Sequence, residues 1–134
     1  MKRKKFIIGS LLFLLLAVII PATLWMVSAR SATTSLNVTV QEAKVLVSEG
    51  AYLLDVRTQD EWDGAHVPGA VLIPLGELEN RTDEIPTGTM IVVMCRSGNR
   101  SLQGRDILIE AGFENVYSMY GGINEWVKVG FDVE

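Results

Sequence analysis

The sequence predicts an α/β fold in which a parallel sheet of about five strands has helices on both faces, with one transmembrane helix before it. Strand-like and helix-like segments alternate along residues 38–134 in the order βαβαβαβαβα. This alternation places successive strands parallel, because each helix carries the chain back to the same end of the sheet. The strand-like segments are short apolar runs, which are typical of strands covered on both faces.

A capping box marks the first helix of the domain. A short strand closes at Val38, and Thr39 and Glu42 follow with the spacing that lets each side chain bond to the backbone N–H of the other. The helix that begins there is predicted to run to about Ser48. The nearly continuous apolar run 52–56 then predicts a buried strand.

A second capping box begins the next part of the chain. Thr58 and Glu61 repeat the spacing of the first pair and predict a short helix. The turn at residues 67–70 contains Pro and Gly and leads into a predicted strand at 71–73. Residues 75–81 are predicted to form a helix.

The last elements follow the most apolar strand of the chain. Residues 90–94 are all apolar, so we place this strand at the centre of the sheet. A helix is predicted from Ser101 to Ala111, a strand at 116–118 and a final helix at 123–129.

The amino-terminal residues 1–30 differ from the rest in composition. They include five basic residues and no acidic one, and residues 6–27 carry no charge. As a helix, this stretch would be about 33 Å long, enough to cross a hydrocarbon core. The basic residues before it predict a cytoplasmic amino terminus and an extracytoplasmic domain. Residues 31–37 would then link this anchor to the domain at 38–134.

A cleaved signal peptide is the alternative for the same segment. Val27, Ser28 and Ala29 resemble a signal-peptidase site, so cleavage near Ala29 would release a secreted domain. The apolar stretch is longer than the roughly 7–15 residues of a typical signal core, which favours the anchor. Both alternatives place the domain outside the cytoplasm.

The composition excludes several classes of function. Residues 31–134 hold seven basic and 16 acidic residues, which argues against nucleic acid as a partner because contacts to phosphate need positive charge. Cys95 is the only cysteine of the chain. It therefore cannot form an intrachain disulfide or belong to a site in which several cysteines bind zinc or an iron–sulfur cluster.

Cys95 stands where the central strand ends, and open parallel sheets bind ligands at that edge. The loop 96–100 follows, and then a helix begins. Loop N–H groups, the helix dipole and the guanidinium groups of Arg96 and Arg100 would each stabilise a negative sulfur, while Gly98 supplies the backbone freedom that the turn needs. The pattern predicts a nucleophilic thiolate; an inert core cysteine is the alternative.

Four short motifs occur in order along residues 36–134. They are Leu53-Leu54-Asp55-Val56-Arg57, Glu61-Trp62 followed by His66-Val67-Pro68-Gly69-Ala70, Cys95-Arg96-Ser97-Gly98-Asn99-Arg100-Ser101, and Gly121-Gly122 with Trp126. In this order and spacing they resemble the rhodanese family of sulfurtransferases, whose members carry sulfane sulfur as a cysteine persulfide. The resemblance implies a rhodanese-like fold for the domain.

The same resemblance implies a two-step transfer through Cys95. The thiolate would take sulfur from a small donor such as thiosulfate and pass it to cyanide or to a thiol, including a protein thiol. No metal or organic cofactor is expected. The implied substrate-binding residues are those of the loop, namely Arg96, Ser97, Gly98, Asn99, Arg100 and Ser101.

Two other functions are alternatives to sulfur transfer. Phosphatases related to this family use a loop one residue longer between cysteine and arginine, whereas Arg100 is five positions after Cys95. This geometry disfavours a phosphatase. A non-catalytic sulfur carrier or redox-sensing module is the alternative that stays open.

We expect supporting roles for three polar residues outside the loop. Asp55 and Arg57 follow a strand toward the same edge of the sheet as the loop, where they can brace it or contact substrate. His66 is expected to have a structural role in its Pro-Gly turn, since sulfur transfer to a persulfide needs no general base.

Overall fold

The structure is a computed structural model, and it describes residues 36–134. The predicted anchor at residues 6–27 lies outside the described residues, as do linker residues 31–35. Within the described part of the chain, no helix is both long and apolar enough to span a bilayer.

Strands and helices alternate as predicted. The strands are β1 (Asn37–Val38), β2 (Tyr52–Asp55), β3 (Val71–Leu72), β4 (Ile91–Met94) and β5 (Val116–Met119), and the α-helices are α1 (Val40–Ser48), α2 (Gln59–Gly64), α3 (Leu75–Leu78), α4 (Asn99–Glu110) and α5 (Gly122–Lys128). β1 thus begins at the last residue of the predicted linker. Both capping boxes are present, with Thr39 paired to Glu42 and Thr58 paired to Glu61.

The five strands form one sheet in the order β1-β5-β4-β2-β3, and every pair is parallel. The predicted parallel sheet and the central place of β4 are confirmed. Asp55 lies beside Met94 in the register, and Val93 lies beside Ser118. The carboxyl ends of β2, β4 and β5 therefore meet at one edge of the sheet.

Helices cover both faces of the sheet, as predicted. On one face, Val92 packs in a buried cluster with Ala43 from α1 and Trp126 from α5. On the other face, Val93 belongs to a second cluster that includes Leu108 from α4. Alternate residues of β4 thus enter opposite cores, and burial of each large apolar side chain contributes about 1.5–3 kcal/mol to folding.

The helix predicted at residues 75–81 is shorter than expected. α3 ends at Leu78, and one 3-10 turn follows at 82–84. Leu78 is the buried residue of α3, while Glu79 and Asn80 are exposed. No apolar side chain is therefore placed to hold a further helical turn against the sheet.

Helix α4 begins two residues before its predicted start. Asn99 is its first residue, and Gly98 caps it with a left-handed backbone at φ 104°. Ser101 lies inside the first turn, where its hydroxyl donates a hydrogen bond to the carbonyl oxygen of Gly98 at 2.8 Å. The prediction started the helix at Ser101, but the left-handed backbone of Gly98 turns the chain directly into the helix at Asn99.

Candidate active site

Cys95 directly follows β4 and lies at the edge where the strand ends meet. Cys95 is 1% exposed and belongs to the buried cluster that includes Leu108 of α4. The sulfur therefore lies at the base of the loop and not on the surface. The rim above it consists of the exposed residues Arg96, Ser97 and Asn99.

The first turn of α5 holds the beginning of the loop. The N–H of Ile123 donates to the carbonyl oxygen of Cys95 at 2.8 Å, and the N–H of Asn124 donates to that of Arg96 at 3.1 Å. Gly122 has φ 59°, and a Cβ added there would collide with the carbonyl oxygen of Cys95. Glycine is therefore required where α5 approaches the loop, and N–H groups of the first turn of α5 satisfy the carbonyl oxygens of Cys95 and Arg96.

The later residues of the loop, Ser97 to Ser101, turn N–H groups toward the sulfur. The N–H of Gly98 donates to Cys95 Sγ at 3.1 Å, and the hydroxyl of Ser101 lies 3.7 Å from the same atom. Burial alone would raise the pKa of the Cys95 thiol, but hydrogen bonds from the backbone of Ser101, Gly98 and Ser97 and from the Ser101 hydroxyl lower the pKa below its ordinary value. The site therefore favours a thiolate.

Gly98 is fitted to this loop in two ways. Its φ of 104° lies in the left-handed region, and an added Cβ would lie 3.1 Å from the backbone nitrogen of Gly121. A larger residue would have to move either the loop or the start of α5. Gly98 therefore fixes the position of the N–H that contacts Cys95 Sγ.

The two loop arginines have different surroundings. Arg100 forms a bidentate ion pair with Glu61, with both nitrogen–oxygen distances at 2.7 Å. The Arg100 guanidinium lowers the pKa of Glu61 to about 2, and the Glu61 carboxylate raises the pKa of Arg100. Arg96 is exposed and makes no ion pair within residues 36–134. The sequence placed both cations at the sulfur, but much of the charge of Arg100 is neutralised by Glu61.

Asp55 and Arg57 form a buried ion pair beside the loop. Asp55 is fully buried and Arg57 is 4% exposed, with Arg57 Nη2 2.8 Å from Asp55 Oδ2. Arg57 Nε also donates to Asp55, while Nη1 and Nη2 donate to the carbonyl oxygens of Glu61 and Ala65. The guanidinium thus ties the end of β2 to α2, and each of its nitrogens bonds within the protein.

His66 contacts Trp62 and the carboxyl-terminal residue Glu134. Its ring stacks on Trp62 with centroids 3.9 Å apart, and its Nε2 lies 3.5 Å from Glu134. Backbone hydrogen bonds join His66 and Glu134 in both directions. These contacts give His66 a role in holding the last residues of the chain.

Two site residues were missed at the level of sequence. The sequence pattern accounts for Glu61 only as the partner of Thr58 in a capping box, whereas its ion pair with Arg100 joins residues 39 positions apart, which no local pattern reveals. The sequence pattern predicts Ser118 only as a residue of the last strand, yet its hydroxyl donates a hydrogen bond to Ser101 Oγ at 2.9 Å. A polar residue within an apolar strand was the one signal that could have drawn attention to it.

Comparison with known proteins agrees with this architecture. The rhodanese-like domain model matches residues 39–129. Thiosulfate sulfurtransferase 18 of Arabidopsis thaliana is 32% identical over 120 residues, which cover 79% of this chain and 88% of that protein. The Bacillus subtilis protein YrkF, whose name proposes a sulfur-carrier role, is 34% identical over 96 residues, or 72% of this chain and 52% of that protein. This chain thus spans about half the length of YrkF.

A solved structure gives the same result for the fold. The human single-domain sulfurtransferase superimposes with a TM-score of 0.64 at 26% identity, and the match covers 70% of this chain and 96% of the human one. A domain of this extent therefore makes up nearly the whole of that protein. By its matched family model, its relatives and its five-stranded parallel sheet, the chain belongs to the rhodanese-like domain family.

Proposed function

We propose that this protein is a sulfurtransferase that moves sulfane sulfur from a donor such as thiosulfate to a thiophilic acceptor through a persulfide on Cys95. The Cys95 thiolate attacks the outer sulfur of thiosulfate, a new sulfur–sulfur bond forms, and sulfite leaves with the electron pair of the broken bond. Cyanide or a thiolate then attacks the outer sulfur of the persulfide. Thiocyanate or a new persulfide leaves, and the Cys95 thiolate is restored.

The observation that carries this proposal is the ring of hydrogen-bond donors around the sulfur. The N–H of Gly98 lies 3.1 Å from Cys95 Sγ, and hydrogen bonds from Ser97 and Ser101 add to it. Such donors stabilise the Cys95 thiolate before the first transfer. They stabilise it again when the acceptor removes the outer sulfur and the thiolate is restored. Arg96 is exposed at the rim, so it is the cation that an anionic donor meets first.

Two measurements on the domain, residues 31–134, test the reaction. We expect the domain to form thiocyanate from thiosulfate and cyanide, and Cys95→Ala to abolish this turnover. After thiosulfate treatment, the intact mass should rise by one sulfur atom in the native domain alone. An unchanged mass, or turnover that survives Cys95→Ala, would contradict the proposal.

A sulfur-carrier role is the second candidate, because the name of YrkF proposes that role for a relative. A carrier would gain one sulfur on Cys95 and release it only to a protein thiol. The mass would then rise after thiosulfate treatment while thiocyanate formation stayed absent. A phosphatase is disfavoured, because the loop from Cys95 to Arg100 is one residue shorter than in related phosphatases.

We further propose that residues 6–27 anchor the protein in a membrane, with a cytoplasmic amino terminus and an extracytoplasmic domain. The support is the uncharged length of this segment and the basic residues that precede it. The alternative is secretion after cleavage near Ala29. The intact mass of the protein recovered from the membrane and soluble fractions together distinguishes them, because cleavage near Ala29 would remove about the first 29 residues. The extracytoplasmic domain would be periplasmic or at the cell surface, so protection from protease added to cells stripped of their outer envelope, with the cytoplasmic membrane intact, would contradict the proposed orientation.

A further inference from the structure

A chain of buried hydroxyl groups leads from β5 to the sulfur. Ser118 is 1% exposed and Ser101 is fully buried. The Ser118 hydroxyl donates to Ser101 Oγ at 2.9 Å, and the Ser101 hydroxyl donates to the carbonyl oxygen of Gly98 at 2.8 Å. The thiol of Cys95 points to the same Ser101 oxygen at 3.7 Å. Ser118 lies beside Val93 in the sheet, one strand away from the site.

The surroundings of Ser118 make its hydroxyl unusual. Ser118 alternates with Tyr117 and Met119, which pack on the opposite face, so it faces the side of the sheet that Val116 and Cys95 share. An apolar residue would fill this place without a polar group to satisfy. Burial of a hydroxyl is costly unless it is hydrogen-bonded, so the bond to Ser101 is the condition under which serine is tolerated here.

The hydrogen bond from Ser118 matters because the Ser101 hydroxyl has a single proton to donate. Ser101 has one hydroxyl proton, and in the thiol form of the site it goes to the carbonyl of Gly98. When Cys95 is a thiolate, the sulfur has no proton to offer and becomes the stronger acceptor. The proton of Ser118 is already given to Ser101 Oγ, so it holds that oxygen in place while the Ser101 proton turns toward the sulfur.

We infer that Ser118 is a positioning residue for Cys95, and that its hydroxyl holds Ser101 so that the Ser101 proton can pass between the Gly98 carbonyl and the cysteine sulfur. Two serines that merely satisfy each other would leave the sulfur unaffected. The inference concerns the thiolate itself, and its use in sulfur transfer rests on the proposed function. No bond other than hydrogen bonds forms or breaks.

The test is the pH dependence of Cys95 alkylation by iodoacetamide, measured on the full chain in mild detergent solution. We expect Ser118→Ala to raise the midpoint pH of alkylation by about half a pH unit to one unit. A shift of this size corresponds to the loss of one hydrogen bond that supports the thiolate site. Tyr117→Phe is the matched control, because it removes a hydroxyl from the same strand on the opposite face, and its midpoint should stay at the native value.

A pair of substitutions of equal shape guards against a loss of folding in Ser118→Ala. Ser118→Thr keeps a hydroxyl and Ser118→Val replaces it with a methyl, so both add the same bulk. We expect the midpoint of Ser118→Val to lie above that of Ser118→Thr, with melting temperatures recorded for both. Equal midpoints in this pair, or a native midpoint in Ser118→Ala, would overturn the inference.

Alkylation also separates this inference from the proposed function. It reports the thiolate and requires no sulfur donor. A raised midpoint in Ser118→Ala together with absent thiocyanate formation in the native chain would support the positioning role while the transfer proposal failed. Thiocyanate formation by the native chain, together with an unchanged alkylation midpoint in Ser118→Ala, would support the transfer proposal while the positioning role failed.

Discussion

Glu61→Gln isolates the charge of the ion pair that joins α2 to the active-site loop. Glu61 has two tasks: its carboxylate completes the capping box with Thr58, and it binds Arg100 through both oxygens. Glutamine also serves in a capping box, so the substitution retains much of the cap. We therefore expect the variant to lose chiefly the ion pair, and to be less stable than the native domain at pH 7.

The size of the effect follows from the pKa of Glu61, which falls from 4.5 to about 2 in the folded domain. A difference of this size corresponds to about 3 kcal/mol at neutral pH. Hydrogen bonds from Thr58 supply part of this difference, and glutamine retains much of them. The Glu61 side chain is 26% exposed and that of Arg100 is 32% exposed, so solvent screening reduces the ion-pair contribution further, and the expected loss is about 1–2 kcal/mol. Because the folded-state pKa is lowered, this stability is present in full above pH 4.5 and is lost as the pH falls toward 2.

Urea unfolding of residues 31–134 at several values between pH 7 and pH 3 measures this directly. The gap in unfolding free energy between the native domain and Glu61→Gln should be widest at pH 7 and should narrow below pH 4.5. Glu42→Gln is the matched control, because Glu42 completes the same kind of capping box with Thr39 and makes no ion pair within residues 36–134. Equal losses in the two variants at pH 7, or a gap for Glu61→Gln that stays constant with pH, would refute the reasoning.

Three further substitutions or titrations test the rest of the site. Arg57→Met leaves the carboxylate of Asp55 buried without its partner, so urea unfolding should show a loss of about 3–5 kcal/mol; a loss below 1 kcal/mol would contradict this. Gly122→Ala should lower the melting temperature more than Gly130→Ala, because both positions have positive φ but only Gly122 lies against the Cys95 carbonyl. The alkylation rate of native Cys95 should have its midpoint below the ordinary pKa of 9.0, and a midpoint at or above that value would show that burial outweighs the loop hydrogen bonds.

Local patterns predicted most of the fold because its elements are coded locally. The capping boxes at Thr39 and Thr58, the apolar run of β4 and the position of Cys95 each follow from a few adjacent residues. The ion pair of Glu61 with Arg100 was not predictable in this way. It depends on where α2 packs against the loop, and that is decided by tertiary structure and not by spacing.

The distinction between charge and hydrogen bonding decides how the sulfur is activated. The sequence suggested that two guanidinium groups stabilise the thiolate, but Glu61 neutralises much of the charge on Arg100. Arg96 is exposed, where water and salt screen its charge. Neutral donors, namely N–H groups and the Ser101 hydroxyl, therefore carry the main stabilisation of a buried sulfur. Such donors suit the proposed reaction, because a strongly cationic site would also retain the sulfite anion that must leave before an acceptor can reach the persulfide.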